Sequence, residues 1–158
     1  MPRIPLNVAA TLPRTLGLPP KPLPVDFSPT AADARSLYRS LWRVGSLSIM
    51  YSSPGREVIR QKIREAFEES RKNPAKNPED VKETWERAFN TRFFFEIAST
   101  RFGVEHGVIS NMCIVAAEKS KGTTRVVKPS LIEHQKEVEK EYTKVIHALN
   151  ESMRLSLR

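Results

Sequence analysis

The chain reads as an all-α protein: a three-helix antiparallel bundle with additional C-terminal helices and an extended Pro-rich N-terminal arm. Two observations predict this. A residue able to cap a helix stands directly before proline three times, at Ser28-Pro29, Ser53-Pro54 and Asn77-Pro78. Proline suits the first helical position because its missing N–H would be unpaired there, and the preceding Ser or Asn oxygen accepts from first-turn amides. Behind each start, apolar residues return every three or four positions. The connections are short enough to make neighbouring helices antiparallel. The parts divide as an arm at 1–27, the bundle at 28–101 and a helical extension at 102–158.

The arm comes first. Residues 1–25 hold Pro2, Pro5, Pro13, Pro19, Pro20, Pro22 and Pro24, with Arg3, Arg14 and Lys21 but no acidic residue before Asp26. An acid-free basic composition fits a mitochondrial targeting segment, whereas the prolines oppose a long amphipathic presequence helix. A cleaved presequence over about 3–18 and a disordered tail both stay open, followed by an extended stretch over 18–27.

The first helix is expected from about Pro29 to Met50, with Leu37, Leu41, Val44 and Leu47 along one face and Tyr38 and Trp42 beside them. The second is expected from Pro54 to Lys72 on Ile59, Ile63, Ala66 and Phe67, and the third from Pro78 to Ser99 on Val81, Trp85, Phe89, Phe93 and Ile97. Gly103 and Gly107 interrupt the pattern, yet Ile109, Met112, Val115 and Ala116 keep helical spacing and predict a fourth helix over 104–119. Lys121 to Thr124 reads as a loop. Ser130 with Glu133 forms a capping box opening a last helix to about Leu155. Its residues Val138, Tyr142, Val145 and Leu149 make a narrow seam, suited to one groove or one partner helix.

Composition excludes several classes. The formal net charge of +8 predicts acidic partners: an acidic protein, RNA or an anionic membrane. No apolar run approaches the roughly 20 residues a membrane-spanning helix needs. The lone Cys113 allows no internal disulfide and no metal-binding spacing, and reads as a buried helical cysteine. His106, His134 and His147 are scattered, and His134 lacks the second histidine of a zinc helix. Gly45 and Gly55 stand alone, without a phosphate loop. No catalytic residue, metal site or directly bound cofactor is expected.

The basic residues are ordered. Arg35, Arg39 and Arg43 follow one another at four-residue spacing on the first helix, as do Arg56, Arg60 and Arg64 on the second. A period of four keeps each set along one side, and neither row holds an acidic member. Arginine favours bidentate acidic contacts, so these rows read as a binding surface for an acidic partner. Tyr38 and Phe67 stand at the matching edges of the two apolar stripes, where each reads on structural grounds alone as a core aromatic.

Leu37-Tyr38-Arg39 on the first helix, answered by Ile63-Arg64-Glu65-Ala66-Phe67 on the second, resembles the LYR-motif (complex 1 LYR-like) family of small mitochondrial proteins. The likeness covers about residues 30–99. The arm and the helices after residue 102 lengthen this chain beyond the minimal family member. The resemblance implies a LYR-type bundle in the mitochondrial matrix that binds the mitochondrial acyl carrier protein through basic residues. It also implies that the acyl chain of the carrier's 4′-phosphopantetheine enters the bundle. Carried over, carrier binding falls to Arg35, Tyr38, Arg39, Arg43, Arg60, Lys62 and Arg64, and the acyl-chain pocket to Leu37, Tyr38, Leu41, Ile63 and Phe67. The implied role is an adaptor supporting a client complex, in the respiratory chain or iron–sulfur maturation. The alternative is a mitochondrial ribosomal component contacting rRNA, suggested by the charge, the acid-free arm and the basic tract Lys119 to Lys128.

Overall fold

Five helices follow one another in the computed structural model, which describes residues 20–24, 26–50, 52–100, 103–120 and 129–157. They are α1 (Ala31–Ser48), α2 (Ser53–Lys72), α3 (Pro78–Thr100), α4 (Val104–Ser120) and α5 (Pro129–Met153). Most of the N-terminal arm, the loop at 121–124, the side chain of Ser130 and most of the basic tract lie outside the described residues.

The start of α1 differs from expectation. Thr30, not Ser28, is the cap: its Oγ1 accepts from the Asp33 amide at 3.2 Å, and the Asp33 carboxylate accepts from Thr30 N–H at 2.9 Å. This reciprocal box satisfies two first-turn donors, so Pro29 is left outside the helix. Hydrogen bonds from the Thr30 hydroxyl and then its amide hold the Asp33 carboxyl below its usual range. On α2 the cap is Ser52, one residue earlier than expected, and its side chain makes no capping bond. Close packing holds this end instead, since a Cβ on Gly55 would lie 2.9 Å from Ile49 Cδ1.

The core draws on all five helices and on the segment after α5. α1 packs on α2 and α3, and α4 packs on the same two helices from elsewhere in the bundle. Ile109, Met112 and Cys113 of α4 join Leu37, Leu41, Ile59, Ile63, Phe94 and Phe95 in one buried cluster. α4 thus belongs to the same core, while α2 and α3 share no extensive interface with each other. Gly45 brings α1 and α2 together, because a Cβ there would sit 2.7 Å from Ile59 Cγ2 and 3.2 Å from Ile63 Cδ1.

On α3 the inward face is rotated from the expected stripe. Thr91, Phe94, Phe95 and Ala98 are buried, while Phe93 and Ile97 are only half-buried. The helix has α1 on one side and α4 on another, so no single stripe accounts for its burial.

The end of α5 also differs. The helix stops at Met153, and Arg154 takes a left-handed backbone with φ 51°. The reversal turns Leu155 and Leu157 inward until they are 2% and 4% exposed. Each buried leucine contributes about 1.5–3 kcal/mol. Further back on α5, Ile146 is buried and Tyr142 and Leu149 pack on the core, but Val138 and Val145 of the expected seam are 53% and 61% exposed.

Candidate functional site: an apolar cavity beside an arginine surface

Where α2 and α3 stand apart, a cavity of about 620 Å³ opens between them. Leu37, Tyr38 and Leu41 of α1 line it together with Ile63 and Phe67 of α2, so the five residues assigned from sequence to an acyl-chain pocket share one space. Thr91 and Phe95 of α3 and Met112 of α4 line it as well. Antiparallel packing orders the space by depth. Ile59 and Phe95 both approach Gly45 at one end, whereas Ala34, Arg71 and Trp85 belong to the other. From Ile59 to Arg71 the α2 wall spans about 18 Å at 1.5 Å per residue.

The wall carries charge as well as apolar surface. Lys62, Arg64 and Arg71 line the cavity too, with Arg64 and Arg71 exposed. Long basic side chains can lay their stems on apolar surface and keep their charged heads in water.

Tyr38 joins the cavity to the arginine surface. Its ring meets Phe67 edge-on at 5.1 Å and Trp42 at 5.4 Å. Arg60 and Arg64 lie over the Trp42 ring at 4.9 and 5.8 Å from its centroid, within cation–π range. Arg60 Nε also donates to Ser46 Oγ at 3.2 Å, a serine that is 1% exposed. The α2 row is thus not a uniform solvent-facing strip: Arg56 Nε is buried without a hydrogen-bond partner, Arg60 is half-buried and Arg64 is exposed. On α1, by contrast, Arg35, Arg39 and Arg43 are all exposed and line one shallow polar groove. Among the described residues no carboxylate pairs with these three.

Residues 32–89 match the family model described as Complex 1 protein (LYR family). This stretch is a LYR-family domain. Comparison with curated proteins and with solved structures gave no match. The matched LYR domain takes in α1, α2 and the first half of α3, and therefore most of the cavity and both arginine rows. Phe95, Met112 and Leu157 come from outside it.

His106, Cys113, His134, Tyr142 and His147 are not among the residues that line the cavity. His106 Nδ1 lies 2.8 Å from the Ser48 carbonyl, which can only accept, so that nitrogen carries the proton. His134 and His147 are exposed on α5. Burial pushes the Cys113 thiol up to about 11, far from thiolate chemistry at neutral pH, and pushes Tyr142 up to about 12. Among the described residues no three His, Cys, Asp or Glu side chains gather as a metal site, and no helix is long and apolar enough to cross a membrane.

Sequence reasoning did not assign Arg71, Thr91, Phe95, Met112 or Leu157 to the cavity. Arg71 alone was within reach, because it follows Arg64 by seven and Phe67 by four and so shares their side of α2. The others depend on contacts between distant segments. Trp42 was placed beside the apolar stripe, but its role as a platform for two arginines needs the α1–α2 packing.

Proposed function

We propose that this chain is a LYR-motif adaptor of the mitochondrial matrix that holds an acylated acyl carrier protein and supports assembly or stability of a larger complex. Proteins of the LYR family are typically mitochondrial, non-catalytic adaptors. One observation carries the reading: an apolar cavity of about 620 Å³ is bordered by Lys62, Arg64, Arg71 and Glu68, with Arg60 and Arg64 stacked on Trp42 beside its Tyr38 wall, while Arg35, Arg39 and Arg43 lie exposed on the other side of α1. The ligand this suits has an acidic body and a long apolar arm. Arginines facing an acidic carrier give steered encounter and charge-assisted hydrogen bonds. A chain of about ten to fourteen carbons in the cavity contributes roughly 8–11 kcal/mol before ordering costs, at about 0.8 kcal/mol per methylene. Acylation therefore acts as a switch on the association. The client complex, in the respiratory chain or iron–sulfur maturation, is held by parts of the surface other than the cavity.

Recovery of the full chain with its partners at moderate salt, followed by intact mass measurement, tests the proposal. A co-purified protein whose mass includes acylated phosphopantetheine supports it. Recovery of RNA that is lost steeply as salt rises favours a ribosomal role instead.

A further inference from the structure

The segment after α5 is a strap fixed to α3 at several points. Arg154 pairs with Glu86 at 3.2 Å, and its carbonyl accepts from Asn90 Nδ2 at 3.2 Å. Arg87, paired with Glu83 and Glu151, reaches the Leu155 carbonyl at 3.5 Å. Ser156 N–H donates to Thr91 Oγ1 at 2.9 Å. The Asn150 side chain then bonds the Leu157 backbone twice, accepting at 2.9 Å and donating at 2.8 Å. The strap thus climbs α3 from Arg87 to Thr91, one turn short of Phe95, and Leu157 joins Phe95 and Met112 in lining the cavity.

A side chain whose backbone is tied down on both sides is a wall, not a movable plug. Thr91 contributes to both structures, lining the cavity while its hydroxyl holds the strap. We infer that Leu157 is the end-stop of the cavity and sets the longest apolar chain it admits. This rests on the reading that the cavity takes an apolar chain, and adds a specificity determinant from outside the LYR domain. Interiors close-packed on the far side leave no slack, so a chain longer than the space must shift the strap or stay partly in water.

The test is calorimetric titration of the full chain with acyl carrier protein bearing saturated chains of increasing length, to find where affinity stops rising. Leu157→Ala should move that limit outward, raising affinity for a chain two carbons beyond the wild-type limit by about tenfold. Leu157→Phe should move it inward by a similar step. Leu155→Ala is the control, since Leu155 is as buried but does not line the cavity; it should lower the melting temperature and leave the limit in place. An unmoved limit in both Leu157 variants overturns the end-stop and leaves the cavity reading intact, and Leu157→Phe decides if Leu157→Ala fails to fold. Equal wild-type affinity for acylated and unacylated carrier overturns the cavity reading and the end-stop with it.

Discussion

Filling the cavity from within separates an open ligand site from loosely packed core, because the two give opposite signs. Ala88 lines the cavity midway along α3, between Trp85 and Thr91. In Ala88→Phe the ring enters a space of about 620 Å³ rather than a packed neighbour. Burying it there contributes about 1.5–3 kcal/mol, reduced by the rotamer freedom it loses, so stability should stay level or rise. Forcing the same ring into a filled core would cost about 1–3 kcal/mol. The ligand should lose what the protein gains. If the ring displaces about four to six methylenes of an acyl chain, affinity for the acylated carrier falls by about 3–5 kcal/mol, roughly two to four orders of magnitude. Binding of unacylated carrier, which the proposed function assigns to the arginines, should be unchanged. Denaturant unfolding and titration with both carrier forms read the two effects. Destabilisation beyond about 2 kcal/mol would show that the space does not exist, and wild-type affinity for the acylated form would show that the chain does not use it.

Three further outcomes are expected. Gly45→Val, also small to large, should destabilise the fold by about 1–3 kcal/mol in denaturant unfolding, since even a Cβ there would meet Ile59 Cγ2 at 2.7 Å; an unchanged midpoint would remove the close approach of α1 and α2. Arg39→Glu or Arg64→Glu should weaken carrier binding at least tenfold with helicity intact by circular dichroism, because repulsion is added to a lost pair. Equal affinity in both variants would take the arginines out of the interaction. Stability should fall from about pH 9 to 12: the unfolded chain releases the Cys113 and Tyr142 protons near their ordinary values of 9.0 and 10.0, whereas the fold holds them to about 11 and about 12. The unfolded state then binds fewer protons, so melting temperature drops as pH rises, and Cys113→Val with Tyr142→Phe should flatten part of that slope.

Much of the helix order was legible because its punctuation is local. Ser53-Pro54, Asn77-Pro78 and Gly103 place the breaks to within a residue or two, whatever the tertiary structure. Even the displaced start of α1 is local, since Thr30 and Asp33 form their own reciprocal box. Faces and ends were harder. Phe93, Phe94 and Phe95 are consecutive, and the more apolar stripe runs through Phe93; packing against α1, where Phe95 approaches Gly45, and against α4 turns Phe94 and Phe95 inward instead. Leu155 and Leu157 prolong the apolar rhythm of α5 past its last turn, and Arg154 adopts a left-handed backbone that glycine would have announced. The cavity was legible where its wall is made by neighbouring helices, at Leu37, Tyr38, Leu41, Ile63 and Phe67, and illegible where distant segments complete it.

The tripeptide Leu37-Tyr38-Arg39 shows why so short a pattern can mark a site. Successive helical residues are about 100° apart, so three of them sweep through much of the circumference. Here the sweep runs from interior to solvent: Leu37 is buried against the cavity, Tyr38 is half-buried between Phe67 and Trp42, and Arg39 is exposed in the groove. Each residue type matches its station, an aliphatic wall, an amphipathic ring at the seam and a cation outside. Tyr38 is the position where apolar and charged halves meet, since the same ring touches Phe67 at the cavity and Trp42 beneath the Arg60 and Arg64 guanidinium groups. A carrier seated on the arginines would therefore have its tethered chain delivered beside Tyr38, next to the space that Leu37 helps to line and that Leu157, more than a hundred residues later, brings to an end.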